Sequence, residues 1–275
     1  NTTGERNTSV GHDSLLVNST GSYNSAFGQN ALVANTTATH NTGIGYNALA
    51  ANTTGTENTA LGATALDANT TGDGNTAVGR HALGASNADS NTAVGHFALQ
   101  QNTTGSSNTA VGAEALQVNT TGAQCTAIGF RALEANTTAN YNTAIGSQSL
   151  QATTTGDLNV AIGLQALEAN VTGSRNTACG VESLMANLAS NNTAFGRRAL
   201  KANTTGTTQV AVGQGALETV TTSSGNTAVG CNALNLNVGQ NNTAVGDGAL
   251  QLNTSASYLT AVGYQAMYNN TTGSS

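Results

Sequence analysis

The sequence predicts an all-β fold, a parallel β-solenoid built from sixteen coils of 16–17 residues. Three observations predict it. A repeat fills the chain from Asn7 onward. Glycine stands at one fixed position in every repeat. The residues ahead of that glycine are β-branched or small, as in a short strand. Fixed columns at such a period mean coils stacked on one another.

The units begin at Asn7, Asn24, Asn41, Asn58, Asn75, Asn91, Asn108, Cys125, Asn142, Asn159, Asn176, Asn192, Gln209, Asn226, Asn242 and Leu259. Residues 1–6 are a partial coil, and residues 7–275 complete a single repeat array. The consensus is N-T-A-V-G-x-x-A-L-x-x-N-T-T-G-x-x. Column five is Gly in all sixteen units: Gly11, Gly28, Gly45, Gly62, Gly79, Gly95, Gly112, Gly129, Gly146, Gly163, Gly180, Gly196, Gly213, Gly230, Gly246 and Gly263. A glycine in every coil implies a backbone with φ > 0, or a place with no room for Cβ.

Columns one to five read as the strand. Columns twelve to seventeen read as the loop, because the three 16-residue units all lose their residue there. Between them, stretches such as Phe130-Arg131-Ala132-Leu133-Glu134-Ala135-Asn136 read as a second short strand. A single helical turn is the competing reading, since the stretch is rich in helix formers but far too short to stand alone. At the inter-strand spacing of about 4.8 Å, sixteen coils make a rod roughly 75 Å long. Like residues would form ladders along it.

Columns four and nine supply the large apolar side chains of each coil, a thin core. Columns three and eight hold only Ala, Ser or Gly. These small columns are expected to take a second chain packed closely against them; the alternative is that they fit a narrow single-chain roll. Asn1–Arg6 are the last six columns of a truncated unit and Ser275 closes the final one. No atypical capping repeat stands at either end, so the array reads as a window of a longer fibre or as a unit that polymerises end to end.

Segments such as Gly45-Tyr46-Asn47-Ala48-Leu49 and Asn142-Thr143-Ala144-Ile145-Gly146 carry a resemblance. They are similar to the head repeats of YadA-like trimeric autotransporter adhesins, and to repeats of phage tail fibres and related bacterial fibres. The likeness covers essentially the whole chain. The family repeat is shorter, and here the N-T-T-G loop lengthens it. The resemblance implies a left-handed β-roll, a homotrimeric rod, and an extracellular place on a cell surface or a virion fibre.

Composition excludes several classes. The 275 residues are only 7% charged, with no Trp and no Pro. A net charge of −6 with seven Lys and Arg leaves no basic stripe for nucleic acid. No apolar run is long enough to cross a bilayer. Three scattered cysteines, Cys125, Cys179 and Cys231, suit free thiols rather than a bridge or a zinc site. His12, His40, His81 and His96 recur at no ligand spacing, and Glu114, Glu134, Glu168 and Glu182 read as unpaired solvated carboxylates. The sequence therefore specifies no enzyme, no metal and no cofactor. The N-T-T motif matches a glycosylation acceptor, but turn and ladder geometry explain it better than a sugar on every coil.

Binding is expected at columns six and seven, which vary freely. The candidate recognition residues are Tyr46, His96, Phe97, Phe130, Arg131, Arg197, Arg198 and Tyr264. Exposed aromatics there would stack on sugars, each contact weak and multiplied by repetition. The leading expectation is a structural and adhesive segment of an extracellular trimeric fibre, a spacer and multivalent binder of a host-surface glycan or protein. An ice-binding solenoid with a Thr ladder and a self-assembling extracellular filament are the alternatives.

Overall fold

The computed structural model describes residues 1–272. The chain divides into two compact units, Asn1–Asn140 and Tyr141–Ser275. Each is a parallel β-solenoid with one three-residue strand per coil, and no helix occurs among the described residues.

The first unit holds β1 (Thr8–Val10), β2 (Ser25–Phe27), β3 (Thr42–Ile44), β4 (Thr59–Leu61), β5 (Thr76–Val78), β6 (Thr92–Val94), β7 (Thr109–Val111) and β8 (Thr126–Ile128). Consecutive strands pair in parallel and in register, so Val10 lies beside Phe27 and Val78 beside Val94. The second unit holds β9 (Thr143–Ile145), β10 (Val160–Ile162), β11 (Thr177–Cys179), β12 (Thr193–Phe195), β13 (Val210–Val212), β14 (Thr227–Val229), β15 (Thr243–Val245) and β16 (Thr260–Val262). Ile162 lies beside Cys179, and Cys179 beside Phe195. The strand occupies columns two to four; column one turns inward and column five begins a turn.

The middle segment is neither the expected strand nor a helical turn. It is a run of overlapping four-residue turns. In the coil from Asn24, Ala31 N–H donates to Gly28 O at 3.3 Å, Val33 to Asn30 at 3.3 Å, and Asn35 to Leu32 at 3.1 Å. The third residues of the first two turns, Asn30 and Leu32, have φ of 58° and 53°. Positive φ at that place marks a type II turn. Alternate turn amides bond to the neighbouring coils instead: Asn30 N–H to His12 O at 2.9 Å, and Leu32 N–H to Ala48 O at 3.0 Å. The segment thus stacks coil on coil without extended backbone.

The interior overturns two expectations. Column four faces out: Phe27 is 40% exposed, Leu61 45% and Phe195 44%. Columns three and eight are not docking surfaces but core, with Ala26, Ala31, Ala60 and Ala65 fully buried. Strand parity forces this. With column three inside, columns two and four must point outward. Space decides which set goes in. A Cβ added at Gly43 in column three would sit 3.3 Å from Cγ of Leu32. The roll is too narrow for anything larger than Ala opposite the buried column-nine leucines.

Two columns of buried asparagine complete the interior. In column one, Asn24 Nδ2 donates to Ala38 O at 2.8 Å while its Oδ1 accepts the backbone N–H of Asn41 at 3.0 Å. In column twelve, Asn35 Nδ2 donates to Asn18 Oδ1 at 2.8 Å and to Ala38 O at 3.2 Å. The first column ties each coil shut and joins it to the next; the second runs as an amide ladder. Buried amides need such partners, or each costs the fold its desolvation.

Candidate functional site

Two surfaces carry residues that the fold itself does not use. One is the edge made by columns six and seven. The other is the outer face of the strands, columns two and four.

At the edge, every column-seven residue has positive φ, from Asp13 through His81, Phe97 and Arg131 to Gln265. The side chains of neighbouring coils therefore project in parallel and stack. His81 lies 5.3 Å from Phe97 with the rings 15° apart, and His96 packs 3.8 Å from the same ring at 40°. Thr64 Oγ1 pairs with His81 Nδ1 at 2.7 Å. Both histidines thus lie against the Phe97 ring, which is not the open sugar platform expected. Arg131 lies over the Phe130 ring at 4.9 Å.

Three of the four carboxylates expected to be unpaired, Glu114, Glu134 and Glu182, are paired; no ion pair involves Glu168 among the described residues. Arg131 Nε donates to Glu114 Oε2 at 2.6 Å, and Glu134 Oε2 lies 3.8 Å from it. The Glu114 carboxylate, through that hydrogen bond, holds the Arg131 proton more firmly than usual. Glu182 accepts from Lys201 Nζ at 2.7 Å and from Arg198 Nε at 2.9 Å. Those two donors pull the Glu182 pKa below the ordinary carboxylate value, Lys201 first. In the same unit as His81, burial raises the Asp67 carboxyl above its usual value. The sequence contained the signal: Glu114 and Arg131 share column seven one repeat apart, and Glu182 and Arg198 do so across a shortened loop.

The expected recognition residues are not gathered into one site. His96 and Phe97 meet, and Phe130 meets Arg131, within the first unit. Tyr46, in another coil of that unit, is 51% exposed. In the second unit Arg198 is held in ion pairs. Its neighbour Arg197 is exposed and makes no ion pair among the described residues. Tyr264 is also exposed.

The strand face differs in kind. Columns two and four contain no charged residue in any coil. The column-two hydroxyls, such as Thr42, Thr92 and Thr227, make no hydrogen bond within the described residues and are half-buried. Column-thirteen threonines of the loop do the opposite. Thr53 Oγ1 donates to Thr70 O at 3.0 Å and Thr103 Oγ1 to Thr120 O at 2.9 Å. Column-thirteen threonine is structural; strand threonine is left for something outside the coil.

The acceptor asparagines of the N-T-T motif occupy column twelve, and Asn35, Asn52 and Asn119 are fully buried. Their amides serve the ladder. Cys125 is buried in column one, while Cys179 and Cys231 are half-exposed; all three are free thiols. Among the described residues, no three His, Cys, Asp or Glu side chains cluster as a metal site, and no helix is long and apolar enough to cross a membrane. These features define a parallel β-solenoid repeat protein. No protein-family model matches the chain, and no curated protein matches its sequence.

Proposed function

We propose that the chain is a structural and adhesive segment of an extracellular fibre, a left-handed β-roll assembled as a homotrimer and serving as a stiff spacer with a variable recognition edge. The observation that carries this reading is the coil-to-coil bonding. Backbone bonds join successive coils at the strand, at the turn run and at the loop, as with Thr42 to Asn58, Leu49 to Ala65 and Thr53 to Thr70. Such a stack is stiff and extends by simple repetition. The variable edge then presents side chains at regular intervals, and weak contacts add through multivalency. Tyr46, Phe130, Arg197 and Tyr264 are exposed residues of that edge.

Electron microscopy of the purified protein tests the spacer reading. Straight, thin particles are expected, shortening in proportion when whole coils are deleted. Compact particles whose length ignores coil number would count against it. Replacing Tyr46, Phe130 and Arg197 with Ala tests the edge: binding to a glycan-coated or cell surface falls several-fold while circular dichroism stays the same.

One observation favours a second reading, ice binding: the free column-two hydroxyls form an uncharged array in register. Column four weighs against it. Phe27, Leu61, Cys179 and Phe195 interrupt the Val and Ile of that column, and a crystal lattice selects uniform spacing. Thermal hysteresis of the purified protein decides this reading.

A further inference from the structure

We infer that column fourteen of the loop is a ladder of O-glycosylation sites, its hydroxyls each accepting one neutral sugar from a nucleotide-activated donor. The inference goes beyond the fibre reading and does not depend on it.

Column fourteen is the second threonine of N-T-T-G. It is Thr in every full-length coil except one, which has Ser255. Column two, by contrast, accepts Val160 and Val210. The repeat therefore keeps a hydroxyl at column fourteen, not a β-branched shape.

The fold makes little use of that hydroxyl, although it uses the columns on both sides. In column twelve, Asn35 Nδ2 donates to Asn18 Oδ1 and its Oδ1 accepts from Asn52 Nδ2. In column thirteen, Thr53 Oγ1 is bonded to Thr70 O. In column fifteen, a Cβ on Gly55 would meet Gly72 O at 2.5 Å. Column fourteen is exposed in every full-length coil. The hydroxyls of Thr20, Thr37, Thr54 and Thr121 have no hydrogen-bond partner among the described residues.

The shortened coils show that the fold can omit this column. In the coil from Asn75, Asn87 N–H donates to Thr103 O, as column thirteen does elsewhere. Asp89 Oδ1 accepts the N–H of Asp73, just as Asp73 Oδ1 accepts that of Thr56, so Asp89 is column sixteen. Ala88 between them takes column fifteen, and the residue lost is that of column fourteen. The strands Thr76–Val78 and Thr92–Val94 still pair in register. A column that the fold can drop, yet that carries a hydroxyl wherever it is present, serves something outside the fold.

The surroundings select the modification. The asparagine of the N-T-T motif is buried in its ladder, so the motif presents an oxygen rather than a nitrogen. Phosphates would set like charges about 4.8 Å apart on a chain already at −6. A neutral sugar adds no charge. Column fifteen beside it is only Gly, Ala or Ser, which leaves room for a ring. Alternate coils lie about 10 Å apart, enough to space single sugars. Transfer is a displacement at the anomeric carbon. The threonine oxygen forms the new C–O bond and the bond from that carbon to the donor phosphate breaks. The nucleotide leaves with the electron pair, and the hydroxyl proton passes to a base of the transferring enzyme.

The test uses protein purified from the cells that naturally make it. After proteolysis, electron-transfer fragmentation places each added mass on a residue. Sugar-sized increments are expected on column-fourteen Thr. Mild alkali removes them, taking the α-proton, expelling the sugar and leaving dehydrated threonine. The variant Thr20→Val, Thr37→Val, Thr54→Val, made in the same cells, is expected to lose the increments of those coils completely, with circular dichroism and Tm unchanged. Thr20→Ser, Thr37→Ser, Thr54→Ser keeps them. Peptides free of any increment overturn the inference, and so do increments confined to columns two or thirteen. Either result leaves the fibre reading standing, since microscopy tests that reading separately.

Discussion

Glycine and leucine are both held at positive φ in this fold, for different reasons. Column-five Gly112 has φ of 137°, and a Cβ there would meet Gly129 O at 2.5 Å. Both conditions exclude a side chain, and the invariant column made that legible. Column-fifteen Gly55 would bring its Cβ equally close to Gly72 O, at 2.5 Å, but its φ is not positive. Other coils place Ala38 and Ala88 in that column. Gly112→Ala is therefore expected to cost about 1–3 kcal/mol or more, and Gly55→Ala clearly less, in urea unfolding. Equal losses would refute the distinction. The left-handed leucines were not legible. Nothing in a leucine announces φ of 53°, as at Leu116's neighbours Leu99 and Leu133, and bulky residues ordinarily avoid it. Tertiary context imposes it: the amide of Leu99 bonds to Ala115 in the next coil, and its side chain fills the roll.

Titration at single residues gives opposite signs. Glu182 is stabilised as a carboxylate, so its contribution is present above the unfolded carboxylate pKa. It is lost as pH falls through the lower folded value. Asp67 is raised by burial, so it favours the fold when protonated, and that advantage is lost as pH rises through its raised value. Asp67→Asn is expected to raise Tm at pH 7 and to have little effect well below pH 3.8, the ordinary value. Glu182→Gln should do the reverse, lowering Tm at neutral pH only.

Among the elements, the strand was legible and its facing was not. Thr-Ala-Val reads as a strand from composition. Hydropathy places valine inside, but strand parity and the narrow roll place alanine there. The turn run was hidden because Ala and Leu are also good helix formers, and the bonds that select turns lie between coils. The asparagine ladder shows what a shortened loop costs. In the short coil from Asn176, Asn187 Nδ2 turns to Ala189 O at 2.7 Å, leaving the buried Oδ1 of Asn170 without a partner. Val220 similarly offers no donor to Asn203, whose Oδ1 is also unsatisfied. In an intact stretch, Asn119 Nδ2 reaches Asn102 Oδ1 and Gly122 O at 2.8 and 2.9 Å, and its Oδ1 accepts from Asn136 at 2.7 Å. Asn119→Ala removes three hydrogen bonds. Gly122 O keeps Asn108 Nδ2 and Asn136 Nδ2 keeps Ala139 O, so the buried Asn102 Oδ1 is the group left unsatisfied. The expected cost is about 1–3 kcal/mol. A loss below 1 kcal/mol would mean that the ladder is not a structural support.

For the whole molecule, the repeat made the solenoid readable from the sequence, while the role of each surface needed the side-chain directions. Columns that looked like a docking stripe are core, and a column that looked like core is open face. The ion pairs at the edge follow from column alignment and could have been read there. The Phe97 packing could not, because it depends on the left-handed backbone that brings rings of adjacent coils together. Three native cysteines sample these environments: Cys125 in the core, Cys179 on the strand face and Cys231 on the variable edge. Thiol labelling of the native protein, resolved by peptide mass spectrometry, tests the assignment most directly. Cys231 is expected to react first and Cys125 only on unfolding. Cys179, half-exposed on the strand face, is expected to react in the native state, ahead of Cys125. Labelling of Cys125 in the native state at the rate of Cys231 would contradict the placement of the columns on which the whole account rests.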